Sequence, residues 1–160
     1  MRKVSSFLIV VLLSVSLSIP TKSVSACSGT GCRGDDPAIE TDDDGFACSA
    51  TGYTVYGGSS VSGEYGTVYN ELRYSRGCES NWSRATVWAN NFKTKYLYAR
   101  VLEVPNPNWA YYYYVQGNPL SVGHSCYTDM VSGTVTTRSF SGISNEAWWG
   151  PYDPSHAYEG

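Results

Sequence analysis

The stretch Asn70–Ala89, NELRYSRGCESNWSRATVWA, decides the fold because it contains two alternating segments joined by a cysteine-bearing turn. In the first segment the apolar Leu72 and Tyr74 take one parity, and the charged Glu71 and Arg73 take the other. This two-residue period is typical of a strand with one buried and one exposed face. The sequence therefore predicts a half-buried strand that ends at the turn.

The turn and the second segment carry the residues that the sequence singles out as candidate sites. Turn-forming residues surround Cys78, and a second strand begins at Trp82. Ala85 and Val87 share one face of that strand, whereas Trp82 and Arg84 project from the other and are candidate binding or structural residues. We expect the Arg84 guanidinium to stack on an aromatic ring or to cap backbone carbonyls, a structural role rather than ligand contact.

Further strands are predicted from β-branched or aromatic runs bounded by turn residues, namely Tyr53–Tyr56, Lys95–Val104, Trp109–Val115 and Val131–Phe140. The second of these runs places on one face Tyr96, Tyr98, Leu102 and Val104. In the tyrosine run 111–114, one pair of rings should face the core and the other pair should be exposed. Gly57–Gly66 is predicted as a hairpin loop, and Ser141–Gly160 as a loop tail. The pattern predicts an all-β fold, a small antiparallel β-sandwich or barrel with a disulfide-tied irregular N-terminal loop.

The first 26 residues have the features of a secretory signal peptide. Two basic residues precede the apolar run Phe7–Leu17, and small residues precede Cys27. That run is shorter than the roughly 20 residues that span a bilayer. We therefore expect cleavage after Ala26, secretion to the extracellular space, and a single disulfide-stabilised β domain over residues 27–160.

The segment Val24-Ser25-Ala26-Cys27 also resembles the lipobox of bacterial lipoproteins, in which the cysteine is acylated. Polar residues, among them Pro20 and Lys22, separate the apolar run from this box, and they favour an ordinary secreted product. Membrane association is therefore expected only if Cys27 is lipidated.

Charge restricts the partners that the mature chain can bind. Removal of the signal leaves 8 basic and 14 acidic residues, a net charge of −6. Nucleic acid and anionic membrane surfaces are disfavoured, because both need clustered Lys and Arg. All 14 tyrosines and all 5 tryptophans lie in the predicted mature part. Exposed rings of this kind stack on sugars or anchor proteins, so the predicted partner is an unknown extracellular glycan or protein.

All five cysteines lie in the predicted mature chain, at Cys27, Cys32, Cys48, Cys78 and Cys126. They lack the close pairs of a zinc site, and an exported chain meets an oxidising compartment, so disulfides are expected. If Tyr53–Tyr56 and Val68–Tyr74 pair as a hairpin, Cys48 and Cys78 lie at its open end, within disulfide reach. Cys27 and Cys32 would then close a small loop, with Cys126 unpaired. If Cys27 is acylated instead, the other four can all pair.

The segment Cys27–Cys48 is rich in Gly, Asp and Pro, and its acidic residues invite a calcium hypothesis. Glu40, Asp42 and Asp44 occupy the first, third and fifth places of an EF-hand-like loop, followed by a glycine. Thr51 stands where such a loop needs a bidentate glutamate, and no flanking helices are predicted. The sequence favours a solvated acidic turn, and it predicts no metal or other cofactor.

Three blocks of the mature sequence carry a family resemblance, namely CSGTGCRGDDP at Cys27–Pro37, Cys48-Ser49-Ala50, and NELRYSRGCESNWSRA at Asn70–Ala85. They resemble a bacterial secreted family catalogued as domain of unknown function 2690. Tyr127–Val131 is similar to the family's later Y-T-x-M-V segment, whereas Ser83 stands where the family more usually has alanine. The resemblance implies a secreted bacterial disulfide domain and supplies no activity.

The search for catalytic motifs favours a protein that is not an enzyme. His124 and Cys126 lie too close in sequence to face each other productively, so no thiol nucleophile is predicted. Asp35 and Asp36 are adjacent carboxylates that should point apart, and the simpler role is to cap a turn. The sequence therefore predicts no catalytic residue and favours a non-catalytic binding module for cell-surface glycan or protein. The alternative is a secreted structural or antagonistic factor, such as a coat component, small toxin or inhibitor.

Overall fold

The computed structural model describes residues 26–63, 65–90, 95–104, 106, 108–117, 119–145 and 158–159. Two short helical turns, a 3-10 turn at Gly29–Cys32 and an α-turn at Cys48–Thr51, lie near the N-terminus of this part. Among the residues described, no helix has the length and apolarity to cross a bilayer. The predicted signal peptide falls outside them, apart from its last residue.

Nine strands account for most of the described chain: β1 Tyr53–Gly63, β2 Gly66–Ser75, β3 Ser80–Asn90, β4 Tyr96–Val104, β5 Ala110–Gln116, β6 Ser125–Tyr127, β7 Val131–Ser132, β8 Thr136–Ser144 and β9 Tyr158–Glu159. One sheet has the order β1-β2-β3-β6, with β7 also paired to β3. The other has the order β5-β4-β8-β9, and all pairings are antiparallel. Strands β2 and β3 pack against β4 and β8. The all-β prediction is confirmed, and the fold is a two-sheet sandwich.

The predicted hairpin loop at Gly57–Gly66 is wrong, because β1 continues to Gly63 and pairs with β2 to its end. Two register shifts interrupt this ladder, and the glycines of the segment accommodate them. Gly58 has φ 103°, and a Cβ on Gly57 would lie 2.7 Å from Thr54 Cγ2. Glycine content therefore marks bulges inside a long strand here, and not a loop.

The predicted single strand Val131–Phe140 is two strands, because the chain changes sheets within it. Val131 and Ser132 pair with β3, whereas residues from Thr136 onward pair with β4. Gly133 makes the change of direction, and its amide donates to the Glu79 carbonyl at 2.8 Å. The predicted loop tail is also wrong at its start, since β8 runs to Ser144, and at 158–159, where β9 pairs with it. The tail residues 146–157 and 160 lie outside the described residues.

The predicted face of β4, with Tyr96 and Tyr98, does not face the core. The buried residues have the other parity and are Leu97, Ala99, Val101 and Glu103. The orientation of the tyrosines in β5 follows from the register with β4. Tyr111 and Tyr113 pair with Val101 and Ala99 and therefore lie on the inner face. Tyr111 is partly buried and packs against Leu72, Val101 and Val131, whereas Tyr113 is exposed, so only one ring of the predicted core pair contacts the core.

The interior is divided by a polar layer. One apolar cluster contains Val68, Ala85, Val87, Leu97, Ala99, Leu120, Cys126 and Ile143, and another contains Leu72, Val101 and Val131. Between them Ser139 Oγ lies 2.9 Å from Asn70 Oδ1 and 2.7 Å from Ser83 Oγ. All three residues are buried. Ser83 therefore completes a hydrogen-bonded layer that alanine could not form.

Candidate functional site

The cysteines pair as predicted. Cys27–Cys32 and Cys48–Cys78 are disulfides with Cα–Cα distances of 5.1 and 5.8 Å, and Cys126 is a buried free thiol. Burial raises the pKa of Cys126 to about 12, so its sulfur stays protonated and is a poor nucleophile at neutral pH. The two disulfides indicate an oxidising, extracellular-type environment.

Trp82 is a structural residue in the cystine cluster, which contains both disulfides, Trp82 and Met130. Its ring approaches Gly52 so closely that a Cβ there would overlap ring carbon Cη2. The exposed fraction of Trp82 is 3%. Any side chain at position 52 would therefore displace the ring from the cystines.

Arg84 binds a carboxylate, which differs from the predicted aromatic ring or backbone carbonyl. Its Nε donates to Glu71 Oε2 at 2.6 Å, directly across the β2–β3 ladder. Thr54 Oγ1 donates to the other oxygen of Glu71 at 2.5 Å, and Arg73 Nη1 lies 3.6 Å away. Burial alone would raise the pKa of Glu71, but these hydrogen bonds and the two arginine charges outweigh it and lower the pKa.

A second arginine–glutamate pair joins the N-terminal loop to the other sheet. Arg33 Nε and Nη2 donate to the two oxygens of Glu103, each at 2.7 Å, and the Ser132 amide donates to Glu103 at 2.8 Å. The guanidinium also lies 4.9 Å from the Trp109 ring centroid. The hydrogen bond to Glu103 raises the pKa of Arg33. Sequence reasoning missed this pair, although Glu103 has the parity of buried Leu97 in a strand.

Two of the acidic N-terminal residues accept hydrogen bonds from nearby backbone amides. Asp42 is buried, and its Oδ1 accepts the amides of Asp44 and Phe46 at 3.1 and 2.9 Å. Asp36 Oδ1 accepts the Ala38 amide at 2.7 Å, which confirms the predicted turn cap. In the described chain, the groups of three or more close metal-type ligands all include Cys27, whose sulfur is in a disulfide. The observed role of Asp42 is therefore that of a turn cap.

A cleft of about 260 Å³ opens between β5 and β6. Tyr113 and Val115 form one wall, β6 forms the other, and Asp36 and Asp129 lie at the rim. Cys126 lies on the inner side of β6, opposite Ala85 of β3. The edge strands of the two sheets therefore build the walls, and the N-terminal loop contributes one acid.

The cleft lies between two edge strands of different length. Strand β5 has seven residues and β6 has three, and all three residues of β6 line the cleft. Tyr113 pairs with buried Ala99 and points inward, yet 53% of its surface is exposed. Tyr127 on the opposite wall is also exposed. Two aromatic residues, Tyr113 and Tyr127, thus line the cleft.

The rim acids differ from Glu71 and Glu103 in their surroundings. Partial burial raises the pKa of Asp129, and the negative charges of Asp36 and Asp35 raise it further. Partial burial, with Asp36, Tyr113 and Asp129 nearby, also raises the pKa of Tyr127. Within the described residues, the Asp129 carboxylate has no hydrogen bond and no ion pair. Its charge is therefore available to a ligand.

The fold and this site define a disulfide-tied antiparallel β-sandwich with an open aromatic and acidic cleft. Comparison with protein-family models, with curated proteins and with solved structures gives no match. The resemblance to domain of unknown function 2690 therefore stays a prediction. Sequence reasoning did not assign Tyr113, Tyr127 and Asp129 to a site; the signals present were the expected exposed pair in the tyrosine run 111–114 and the position of Tyr127 and Asp129 in the Tyr127–Val131 segment.

Proposed function

We propose that this chain is a secreted bacterial binding module, non-catalytic, that holds one unit of a cell-surface glycan in the cleft. The observation that carries the proposal is the Tyr113 ring, which points inward from β5 and is still half exposed. A large ring in that position would be covered in an ordinary sandwich, so its exposure marks a surface kept open. Membership of the secreted family of unknown function is part of the same proposal.

The chemistry of the cleft suits a sugar ring. Aromatic faces pack against the apolar C–H face of a sugar, and carboxylates accept hydrogen bonds from its hydroxyl groups. Tyr113 and Tyr127 supply the first kind of contact, and Asp36 and Asp129 the second. The volume of about 260 Å³ is below the roughly 300–1,000 Å³ of pockets for drug-sized ligands. It fits a single ring better than an extended chain.

The scaffold supports binding by rigid surfaces. Two disulfides and the Arg33–Glu103 pair fix the N-terminal loop against β4, which pairs with β5, and the Arg84–Glu71 pair joins β2 to β3, which pairs with β6. Ordering of flexible segments opposes association, so a preformed cleft needs less of its contact energy to order the protein. The protonated Cys126 thiol donates to the Leu97 carbonyl at 3.7 Å and supports a role in packing rather than in catalysis.

The test is retention of the protein on glycan arrays and bacterial wall fractions. Tyr113→Ala should lose most of the retention, whereas Tyr112→Ala should keep it. Tyr112 is the matched control, because it is the adjacent tyrosine, is 72% exposed and projects from the opposite face of β5. Equal loss in both variants, or no retention by the unmodified protein, would contradict the proposal. Inhibition of neighbouring cells without glycan retention would favour an antagonistic factor instead.

A further inference from the structure

Two carboxylates that line the cleft, Asp36 and Asp129, have no cation to balance them. Asp36 and Asp35 both raise the pKa of Asp129, although Asp35 does not line the cleft and its carboxylate lies within 4.8 Å of a Glu40 oxygen. The nearby Arg33 and the cross-strand neighbour Arg84 are hydrogen-bonded to Glu103 and Glu71. Within the described chain, no ion pair includes any of the three aspartates. The cleft is therefore a negative site whose charge the folded protein leaves unbalanced.

The walls of the cleft add a second, independent preference for positive charge. The faces of Tyr113 and Tyr127 carry the negative side of the aromatic quadrupole, which attracts ammonium groups within about 6 Å. Both residues line the cleft and are exposed. Aromatic walls with carboxylates at the rim form the combination that recognises organic ammonium groups, since the rings contact the carbon frame and the acids bind N–H.

The spacing of the acids fits an organic cation better than a bare metal ion. Of the described residues, Asp35, Asp36 and Asp129 do not form a group whose ligand oxygens all lie within 4.8 Å of one another. Calcium needs six to eight oxygens at about 2.3–2.6 Å, so carboxylates this far apart cannot all coordinate one ion. An ammonium group on a ring-sized body can contact one acid while its carbon frame lies against the rings.

We infer that the cleft selects a glycan unit with a free, positively charged amino group over the neutral N-acetylated form of the same unit. The inference rests on the proposed glycan-binding function and names the chemical class of its ligand. The amino group lies between the rim acids, chiefly Asp129, and the sugar ring packs against Tyr113. The cleft volume of about 260 Å³ admits one such ring.

The experiment measures affinity by calorimetry for two probes of equal length, an oligomer of glucosamine and an oligomer of N-acetylglucosamine. The amino form should bind on the order of ten-fold more tightly, because hydrogen bonds to charged groups contribute about 1.5–3 kcal/mol. Its affinity should fall as salt is raised, and that of the neutral form should not. Asp129→Asn should reduce the preference to about two-fold or less. Asp43→Asn, an exposed acid outside the cleft, should leave it unchanged.

The outcomes separate this inference from the proposed function. Equal affinity for the two oligomers, with both lost in Tyr113→Ala, would overturn the inference and leave glycan binding intact. Binding of neither oligomer, in a protein that wall glycans do retain, would also overturn it. An oligolysine peptide bound in place of any glycan would overturn both proposals. If Asp129→Asn does not fold, the salt dependence measured on the unmodified protein decides the question.

Discussion

Two regions of this sandwich hold acidic side chains in opposite ways. The closed region consists of the cystine cluster and the pairs Arg84–Glu71 and Arg33–Glu103; the open region is the cleft with Asp129. Glu71 and Glu103 are 4% and 2% exposed, and each accepts hydrogen bonds from an arginine and a second donor. Asp129 is exposed beside two other acids and, among the described residues, lacks a partner.

This difference in partners separates carboxylates that stabilise the fold from a carboxylate that can bind a ligand. A buried acid that lost its arginine would be left charged in a poorly solvated place, so the closed region depends on each partner. An exposed acid beside like charges contributes no such support, and its perturbed pKa together with a cleft is typical of functional sites. Changes in the closed region should therefore reduce stability, and changes in the open region should reduce binding.

The largest effect is expected from the cysteines of the two regions. Cys48→Ser removes a disulfide between residues 30 apart, which should cost roughly 3–4 kcal/mol of unfolding free energy through the entropy of the unfolded chain. Cys126→Ser in the cleft should cost about 1 kcal/mol, because a hydroxyl can also donate to the Leu97 carbonyl. Urea unfolding of both variants measures the difference. Equal losses of unfolding free energy in the two variants would contradict the expectation that the closed region contributes more to stability than the cleft.

Arg33→Ala should have the next largest effect, a loss of about 2–3 kcal/mol, since it leaves Glu103 buried without its cation. Arg33→Lys should lose less unfolding free energy, because lysine keeps the positive charge but cannot form the bidentate hydrogen bonds to Glu103. Unfolding by urea again supplies the measurement. A loss below about 0.5 kcal/mol in the alanine variant would mean that the pair does not hold the N-terminal loop.

Arg84→Lys should cost about 1 kcal/mol, less than the change at Arg33, because the side chain is 40% exposed. Arg76→Lys, at an exposed turn residue, is the control and should change the melting temperature little. Thermal unfolding followed by circular dichroism compares the two. An unchanged melting temperature with lost glycan retention would make Arg84 a binding residue and contradict its place in the closed region.

The smallest effect is a difference in pH dependence. Glu71 has a lowered pKa, so it contributes stability above pH 4.5 that is lost as the pH falls through its folded pKa. Asp129 has a raised pKa, so its contribution is most favourable below pH 3.8 and declines as the pH rises through its folded pKa. Relative to the unmodified protein, Glu71→Gln should lose more stability at pH 7 than at pH 3. Asp129→Asn should show the opposite sign, and the same sign in both would contradict the contrast.

The sequence predicted the closed region better than the open one. The strand patterns at Tyr53–Tyr56 and Val68–Tyr74 predict a hairpin, and that hairpin, formed by β1 and β2, brings Cys48 to Cys78. These are local signals, because each depends on residues near one turn. The charged partners of Glu71 and Glu103 were not predicted, since parity marks a buried position but not the residue that covers it.

The cleft could not be predicted because it depends on distant parts of the chain. Its walls come from strands of different sheets, β5 and β6, and the rim acid Asp36 comes from the distant N-terminal loop. The same kind of distant effect explains the errors at Gly57–Gly66 and Val131–Phe140, where bulges and a change of sheet are decided by the partner strand. Composition and periodicity describe one segment at a time and carry no information on which distant segments pair or pack together.

The most direct test of the account is a nuclear magnetic resonance titration of the isotope-labelled protein with the glucosamine oligomer. Amide shifts should change at β6, at Tyr113 and Val115, and around Asp36 and Asp129, while those of Trp82, the Cys48–Cys78 disulfide and the strand segments around Glu71 and Glu103 should stay constant. Saturable shifts confined to the closed region, or at the exposed Trp88 on the other side of the first sheet, would contradict the claim that the cleft is the ligand-binding site.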